Sequence, residues 1–351
     1  MKKFISTAIA AVMLMGCFAG CSTAGINAAS KKTKIVTTIF PEYDWVMNIL
    51  GDKASDADVT MLLDNGVDLH SFQPNASDIL KISTCDVFIY VGGESDAWVN
   101  DALKESVNKD MIVINLLETL GDAVKEEEVV EGMQEEDEHD HDHDHGEDHD
   151  DHDDHDEDHD HEHDHDHGDP EEIEYDEHVW LSLHNSATLV EKISEALQKA
   201  DPANAETYKA NAAGYMEKIN ALDKQYHDMV DNASCKTILF GDRFPFRYLV
   251  DDYGLSYYAA FVGCSAETEA SFETITFLSG KVDELGLKTV MTIEGSDHRI
   301  AETIIQNTKS KDQKILSVDS MQSVTSKDVA AGASYIDIMT KNLSVLKEAL
   351  G

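Results

Sequence analysis

Apolar residues recur along this chain in short β-branched runs, separated by stretches in which they fall at helical spacing. Residues 35–40 (IVTTIF) form the first run, and Pro41 closes it. Residues 42–50 then carry apolar positions at helical spacing up to Gly51. Further strands are predicted at 58–63, 86–91 and 111–116, with helices at 77–83 and 95–107. The alternation stops near residue 121 and resumes at Glu177-His178-Val179-Trp180. An amphipathic helix at 185–199 ends near Asp201-Pro202. Residues 203–231 contain no further proline, and a helix of that length would run ~40 Å at ~1.5 Å per residue. Strands at 236–240, 255–262, 288–293 and 314–318 follow, with helices at 271–285, 298–308 and 329–349. Strands alternating with helices imply an α/β fold with parallel sheets covered on both faces. The expected arrangement is two βα lobes, 35–200 and 232–351, joined by the long rigid helix 203–231. A ligand site is expected in the interlobe cleft, at the C-terminal ends of the strands.

The 351 residues are 42% hydrophobic, enough for two cores, but the formal charge is −43. Residues 126–177 supply 30 of the 70 acids and no Lys or Arg, so the charge is largely local. That balance argues against nucleic acid as a partner and favours cations. The N-terminus reads as an address: Lys2 and Lys3 precede an apolar run from Phe4 to Met15, too short to span a membrane as a mature helix. Gly16-Cys17 and Gly20-Cys21 each resemble a bacterial lipobox. Cys21 is the expected lipidation site, because Ser22 and Thr23 follow it directly; Cys17 is the alternative, and an ordinary cleaved signal peptide is the other reading. Residues 1–21 then lie outside the fold as a signal peptide, and 22–34 form a tether. Cys85, Cys235 and Cys264 remain. Without a CxxC spacing they are not read as metal ligands, and Cys235 with Cys264 is a candidate disulfide.

Twelve of the 17 histidines lie between His139 and His167, interleaved with Asp and Glu: His139, His141, His143, His145, His149, His152, His155, His159, His161, His163, His165 and His167. Imidazole suits Zn²⁺, Cu²⁺ and Ni²⁺, and the tract lacks apolar residues to bury. It is expected to be a disordered collector of metal ions within the insertion 126–177; an inert acidic linker would need only Asp. Three other histidines carry a quieter signal. His70 lies beyond the strand at 58–63, His178 opens the chain after the insertion, and His298 follows the strand at 288–293. All three stand at βα boundaries, where side chains converge on a crevice. His184 and His227 fall on predicted helices and read as surface residues.

The segments Gly66-Val67-Asp68-Leu69-His70-Ser71-Phe72-Gln73-Pro74, Glu177-His178-Val179-Trp180-Leu181 and Tyr253-Gly254-Leu255 resemble those of the solute-binding lipoproteins of bacterial ABC importers for zinc and manganese. The resemblance covers about residues 33–350, and the acidic His-rich insertion resembles the zinc-uptake branch. It implies two βα lobes on a rigid helix with the metal held between them, and His70 and His178 as ligands from the first lobe. In the second lobe the chain departs from the pattern. The slot that holds a histidine in zinc-branch relatives aligns with Arg243, which cannot bind a metal. A shift of one residue brings in Asp242, and the slot usually held by Asp aligns with His298. The implied ligand set is His70, His178, His298 and Asp242, with Asp297 or Glu294 orienting His298. Such a nitrogen-rich set favours Zn²⁺, with Mn²⁺ as the alternative ion.

The expected function is therefore an exported, membrane-anchored receptor, monomeric and not an enzyme, that delivers zinc to the membrane permease of an ABC importer. A surface adhesin or metal buffer built on the His tract is the rival binding reading. A zinc hydrolase would need an open coordination position and a base, for which Glu267 or Glu294 would have to serve. No Gly-x-Ser-x-Gly segment occurs, and the one HExxH match, His161–His165, lies within the low-complexity tract.

Overall fold

The computed structural model describes residues 32–134, 174–265 and 269–351. Cys17, Cys21, the twelve histidines of the acidic tract and Glu267 lie outside the described residues. The first half runs β1 (Thr33–Thr37), α1 (Phe40–Leu50), β2 (Ala57–Met61), α2 (Ala76–Thr84), β3 (Val87–Tyr90), α3 (Val99–Lys104), β4 (Ile112–Asn115) and α4 (Leu116–Leu120). Two helices, α5 (Leu183–Ala200) and α6 (Ala205–Asp231), lead to the second half. That half runs β5 (Thr237–Phe244), α7 (Arg247–Tyr253), β6 (Ser256–Val262), α8 (Phe272–Leu285), β7 (Thr289–Ile293), α9 (Arg299–Asn307), β8 (Lys314–Val318), α10 (Ser326–Ala330) and α11 (Tyr335–Leu350). The α/β class with two parallel sheets is as the alternation implies. The sheets have the orders β2-β1-β3-β4 and β6-β5-β7-β8, and every pairing is parallel. The two halves thus repeat one topology, which makes β2 and β6 equivalent edge strands.

Helix α6 buries Tyr208, Ala212, Tyr215, Ile219, Leu222, Tyr226 and Val230, a stripe spaced by threes and fours. Its polar tips reach both halves. Tyr215 donates to Asp44 Oδ2 at 2.8 Å and Asn211 to the Ile49 carbonyl at 3.0 Å, on the α1 side. Tyr226 donates to the Met339 carbonyl at 2.6 Å, on α11. One apolar core runs through both sheets and includes Trp45, Trp180, Tyr248 and Tyr335. Trp180 Nε1 donates to the Ser320 carbonyl at 2.8 Å, and Tyr335 donates to the Trp180 carbonyl at 2.8 Å. Two buried aromatic side chains with satisfied polar tips therefore tie the segment carrying His178 to the second half.

Several elements differ from the sequence reading for identifiable reasons. Pro41 ends no strand but sits in the first turn of α1, where its missing N–H costs nothing, and Glu42 reaches back to accept the Ile39 N–H at 3.3 Å. The helix expected over 95–107 is confined to α3, because Asp96 instead turns back to accept the Gly92 N–H at 3.0 Å. The helix expected over 329–349 is broken in two at Gly332, which has φ 99°, and restarts at the N-cap Ser334. Strand β5 continues to Phe244, past the expected end at 240, through a register shift between Phe240 and Arg243. Both ends of the acidic insertion are ordered: Glu126 bridges Tyr175, and Asp176 N–H donates to the Lys125 carbonyl at 2.9 Å. Val130 and Met133 pack on the core there, so the disorder expected for 126–177 does not hold for 126–134 and 174–177.

Candidate metal centre

His70 lies in a single 3-10 turn, Leu69–Ser71, in the loop after β2. Asp68 caps that turn by accepting the His70 N–H at 3.1 Å. His70 Nδ1 pairs with Ser95 Oγ at 2.7 Å and lies 3.6 Å from Glu177 Oε2, so the ring presents Nε2 to the cleft. His178 is fully buried. Asp176 Oδ1 accepts both its backbone N–H, at 2.8 Å, and its Nδ1–H, at 3.0 Å. A carboxylate on Nδ1 fixes the ring proton there and leaves the Nε2 lone pair outward, the arrangement common behind metal-bound imidazoles. The Asp176 carbonyl in turn accepts from Tyr248 of α7 at 2.8 Å.

The third donor was not foreseen. Among the described residues, His70, His178 and Cys264 form a group whose ligand atoms all lie within 4.8 Å of one another. Cys264 stands in the loop after β6, the counterpart of the loop after β2 that carries His70. Gly263 makes the approach feasible: a Cβ there would meet the Phe244 carbonyl oxygen at 3.0 Å and His178 Cε1 at 3.1 Å. Glu127, from the ordered base of the insertion, accepts the Cys264 N–H at 3.2 Å. The missed signal was positional: Gly263-Cys264 directly ends an apolar strand at the sheet edge facing the cleft. Cys85, Cys235 and Cys264 are all unpaired, so the expected Cys235–Cys264 disulfide is not formed. Cys235 Sγ instead accepts the N–H of Thr237, the first residue of β5, at 3.4 Å.

The fold places the other predicted residues elsewhere. His298 opens α9 in the left-handed region, at φ 62°, and its Nδ1 pairs with Thr292 Oγ1 at 3.2 Å, which pairs in turn with Ser317 at 2.9 Å. Asp242 lines the cleft, but its oxygens accept the N–H groups of Arg243, at 2.9 Å, and Ile293, at 3.3 Å. It sits in the irregular part of β5, where Gly241 allows α9 to approach; a Cβ at 241 would lie 2.6 Å from Ala301 Cα. Neither His298 nor Asp242 belongs to the group of three. Asp297 pairs with Arg299, and Glu294 holds Ser320, so neither orients His298 through a hydrogen bond. Arg243 donates across the cleft to Asp68 Oδ2. His184 and His227 are exposed on helices, as expected.

The geometry suits a tetrahedral ion. Two nitrogens at ~2.0–2.1 Å from one Zn²⁺ stand roughly 3.3–3.4 Å apart, and the Nε2 atoms of His70 and His178 are 3.3 Å apart. A thiolate at ~2.3 Å from the same ion stands roughly 3.5 Å from each nitrogen, a small contraction from the spacing of the group. The electrostatics point the same way. Burial first, then the charge on His178, lower the His70 pKa to about 3, with Asp68 opposing, which keeps this imidazole neutral. Burial also opposes a charge on His178, but the Asp176 carboxylate and its hydrogen bond outweigh burial and raise its pKa. Burial pushes the Cys264 thiol up, and Glu127, Asp176 and Glu177 push it further. Asp68 stays ionised against burial because Arg243 and His70 favour its charge. Three carboxylates thus surround the half-buried Cys264 thiol, with the Arg243 guanidinium in the same cleft. The cleft in front of it has a volume of about 640 Å³ and is lined by Asp68, His70, Arg243 and Cys264 among others.

Comparison with known proteins places this site in context. The ZnuA family, described as zinc-uptake complex component A, periplasmic, matches residues 35–349. The zinc-binding protein AdcA of Streptococcus pyogenes serotype M6 is 32% identical over 331 residues, covering 91% of this chain and 56% of that protein. The chain thus spans little more than half the length of that relative. The high-affinity zinc uptake system protein ZnuA of Bacillus subtilis is 30% identical over 344 residues, 97% of this chain and 96% of its own length. Among solved structures, the Zn(II)-bound ZnuA-like domain of Streptococcus pneumoniae AdcA aligns with a TM-score of 0.65 and 26% identity, over 91% of this chain and 99% of the domain. With the match running through both sheets and the long helix between them, this chain belongs to the ZnuA family of zinc-uptake components.

Proposed function

We propose that this chain is an extracytoplasmic receptor that captures Zn²⁺ in the cleft and hands it to the membrane permease of an ABC importer. The single observation that carries the reading is the 3.3 Å separation of two neutralisable imidazole nitrogens at the cleft floor, with a donor from the opposite sheet beside them. His70 and His178 are the imidazole ligands in this reading, and Asp176, Ser95 and Glu177 hold their rings. His298 and Asp242 are left out of the set, because neither belongs to the group that brings His70, His178 and Cys264 together. A donor set rich in nitrogen and sulfur favours Zn²⁺ over Mn²⁺.

The ion is cargo, so the site must also release it. Donors on loops of two different sheets allow a small relative movement of those sheets to break the shell when the permease docks. Nothing in this arrangement calls for a reacting substrate, and the chain acts as a carrier rather than an enzyme. Lipidation at Cys21 would keep it at the outer face of the membrane; among the described residues no helix is long and apolar enough to cross one. The histidines between 139 and 167 serve as a collector that raises the local metal concentration near the cleft.

Zinc titration of the purified chain beside a variant lacking residues 136–168 tests this reading. The receptor account expects the deletion to remove weak, multiple binding and to leave one tight site per chain. Loss of all tight binding with the deletion would make the chain a buffer built on its tract instead.

A further inference from the structure

We infer that Cys264 is a thiolate ligand to the captured ion, standing in for the imidazole that Arg243 displaces from the second half of the site. The inference deepens the receptor reading and rests on it. Four observations converge on this residue. Its sulfur shares a 4.8 Å group with His70 and His178 and with no other described His, Cys, Asp or Glu. It stands on the topological counterpart of the His70 loop, so the two halves each contribute a residue from the loop after their edge strand. Gly263 presses that loop onto the His178 ring as closely as backbone allows. Arg243, at the end of β5, offers only donors and is already bound to Asp68, so it excludes a metal from its own position.

The chemistry follows from the surroundings. A divalent ion between the two imidazoles supplies the positive charge that a thiolate beside it needs. The sulfur–hydrogen bond breaks, the proton leaves to solvent, and the sulfur lone pair forms the bond to the metal. Thiolate ligation strengthens discrimination against Mn²⁺, which prefers oxygen donors, and accepts other thiophilic ions of similar size.

Cobalt(II) is the probe, because a cobalt–thiolate bond gives an intense near-ultraviolet charge-transfer band that imidazole and carboxylate ligands do not. The acidic tract contains no cysteine, so ions held there are silent in that band. The full chain loaded with one equivalent of Co²⁺ should show the band, and Cys264→Ser should abolish it while weakening Zn²⁺ binding ~10–100-fold or more. In a second arm, needing no variant, one equivalent of Zn²⁺ should slow alkylation of Cys264 by iodoacetamide, read by peptide mass. A wild-type chain with one tight, His70-dependent zinc site, no band and unchanged alkylation would overturn the thiolate and leave the receptor standing. Absence of any tight site in the wild-type chain would overturn both.

Discussion

The Nε2 atoms of His70 and His178 face each other at 3.3 Å, although 108 residues separate the two histidines in sequence. Each ring is held from behind, His70 by Ser95 at 2.7 Å and His178 by Asp176 at 3.0 Å. Two such lone pairs repel unless a proton or a metal ion lies between them, and a captured ion takes the place of that proton. Replacing either histidine by alanine should therefore lower zinc affinity on the order of 100-fold or more, exceeding the ~10–100-fold cost of losing a supporting residue. Chelator competition would read the loss, and circular dichroism should remain that of the parent. Equal affinity in both variants would remove the basis of the site.

Asp176 sets the pH response. It raises the His178 pKa above the ordinary imidazole value against the effect of burial. A bound proton competes with the ion, so zinc affinity should fall as pH descends, starting above the ordinary imidazole pKa of ~6.5. Asp176→Asn removes the charge that favours the imidazolium, and the midpoint of that fall should move to lower pH. Affinity at high pH should drop ~10–100-fold, because the ring loses its strongest orienting partner. Isothermal titration at a series of pH values separates the two effects; an unmoved midpoint would show that Asp176 does not govern the titration.

Gly263→Ala probes the closeness of the β6 loop to His178. The added methyl would meet the Phe244 carbonyl oxygen at 3.0 Å and the His178 ring at 3.1 Å. Overpacking of this kind costs ~1–3 kcal/mol, and the loop can yield by moving Cys264 away from the imidazoles. Zinc affinity should fall by more than the loss in melting temperature of the metal-free chain would suggest. A variant that melts early but binds zinc normally would place the loop's role in folding alone.

Glu42 gives the metal-free fold a pH dependence of its own. This carboxyl is fully buried, and burial raises its pKa to about 8, with Asp96 adding to the shift. In the unfolded chain it ionises near ~4.3. A folded-state pKa above the unfolded one contributes stability that is complete below ~4.3 and is lost as pH rises through about 8. Asp96, raised to about 7, acts in the same direction. Thermal unfolding of the metal-free chain should show the melting temperature declining between pH 6 and 9, and Glu42→Gln should flatten that slope. An identical slope in the variant would show that Glu42 is already ionised in the folded state.

The fold was legible because parallel strands buried on both faces spell near-continuous apolar runs, such as Ile238-Leu239-Phe240 and Val290-Met291. The sequence singled out His70 and His178, which the fold brings together, and each lies two residues after an acid, Asp68 or Asp176, that accepts its backbone N–H. Cys264 was not singled out, since its partners come from distant segments and it has no spacing to a second cysteine. Asp242 stands apart from these three for a local reason: the run 236–240 gives no sign that β5 continues through an irregular step to Phe244. His298 follows a strand as His70 does, yet its left-handed backbone is accompanied by a ring paired with Thr292, and His178 follows no sheet strand. Glu127 and Asp176 were hidden in plain composition, two acids among 30 in the insertion, distinguished only by the short bridge at its base.

Anomalous diffraction at the zinc edge from a crystal of the zinc-loaded chain bears most directly on the central claim. The account predicts one strong peak between the lobes, ~2.0–2.1 Å from Nε2 of both His70 and His178 and ~2.3 Å from Cys264 Sγ. A peak coordinated by His298 or Asp242, with the His70 and His178 rings empty, would contradict it.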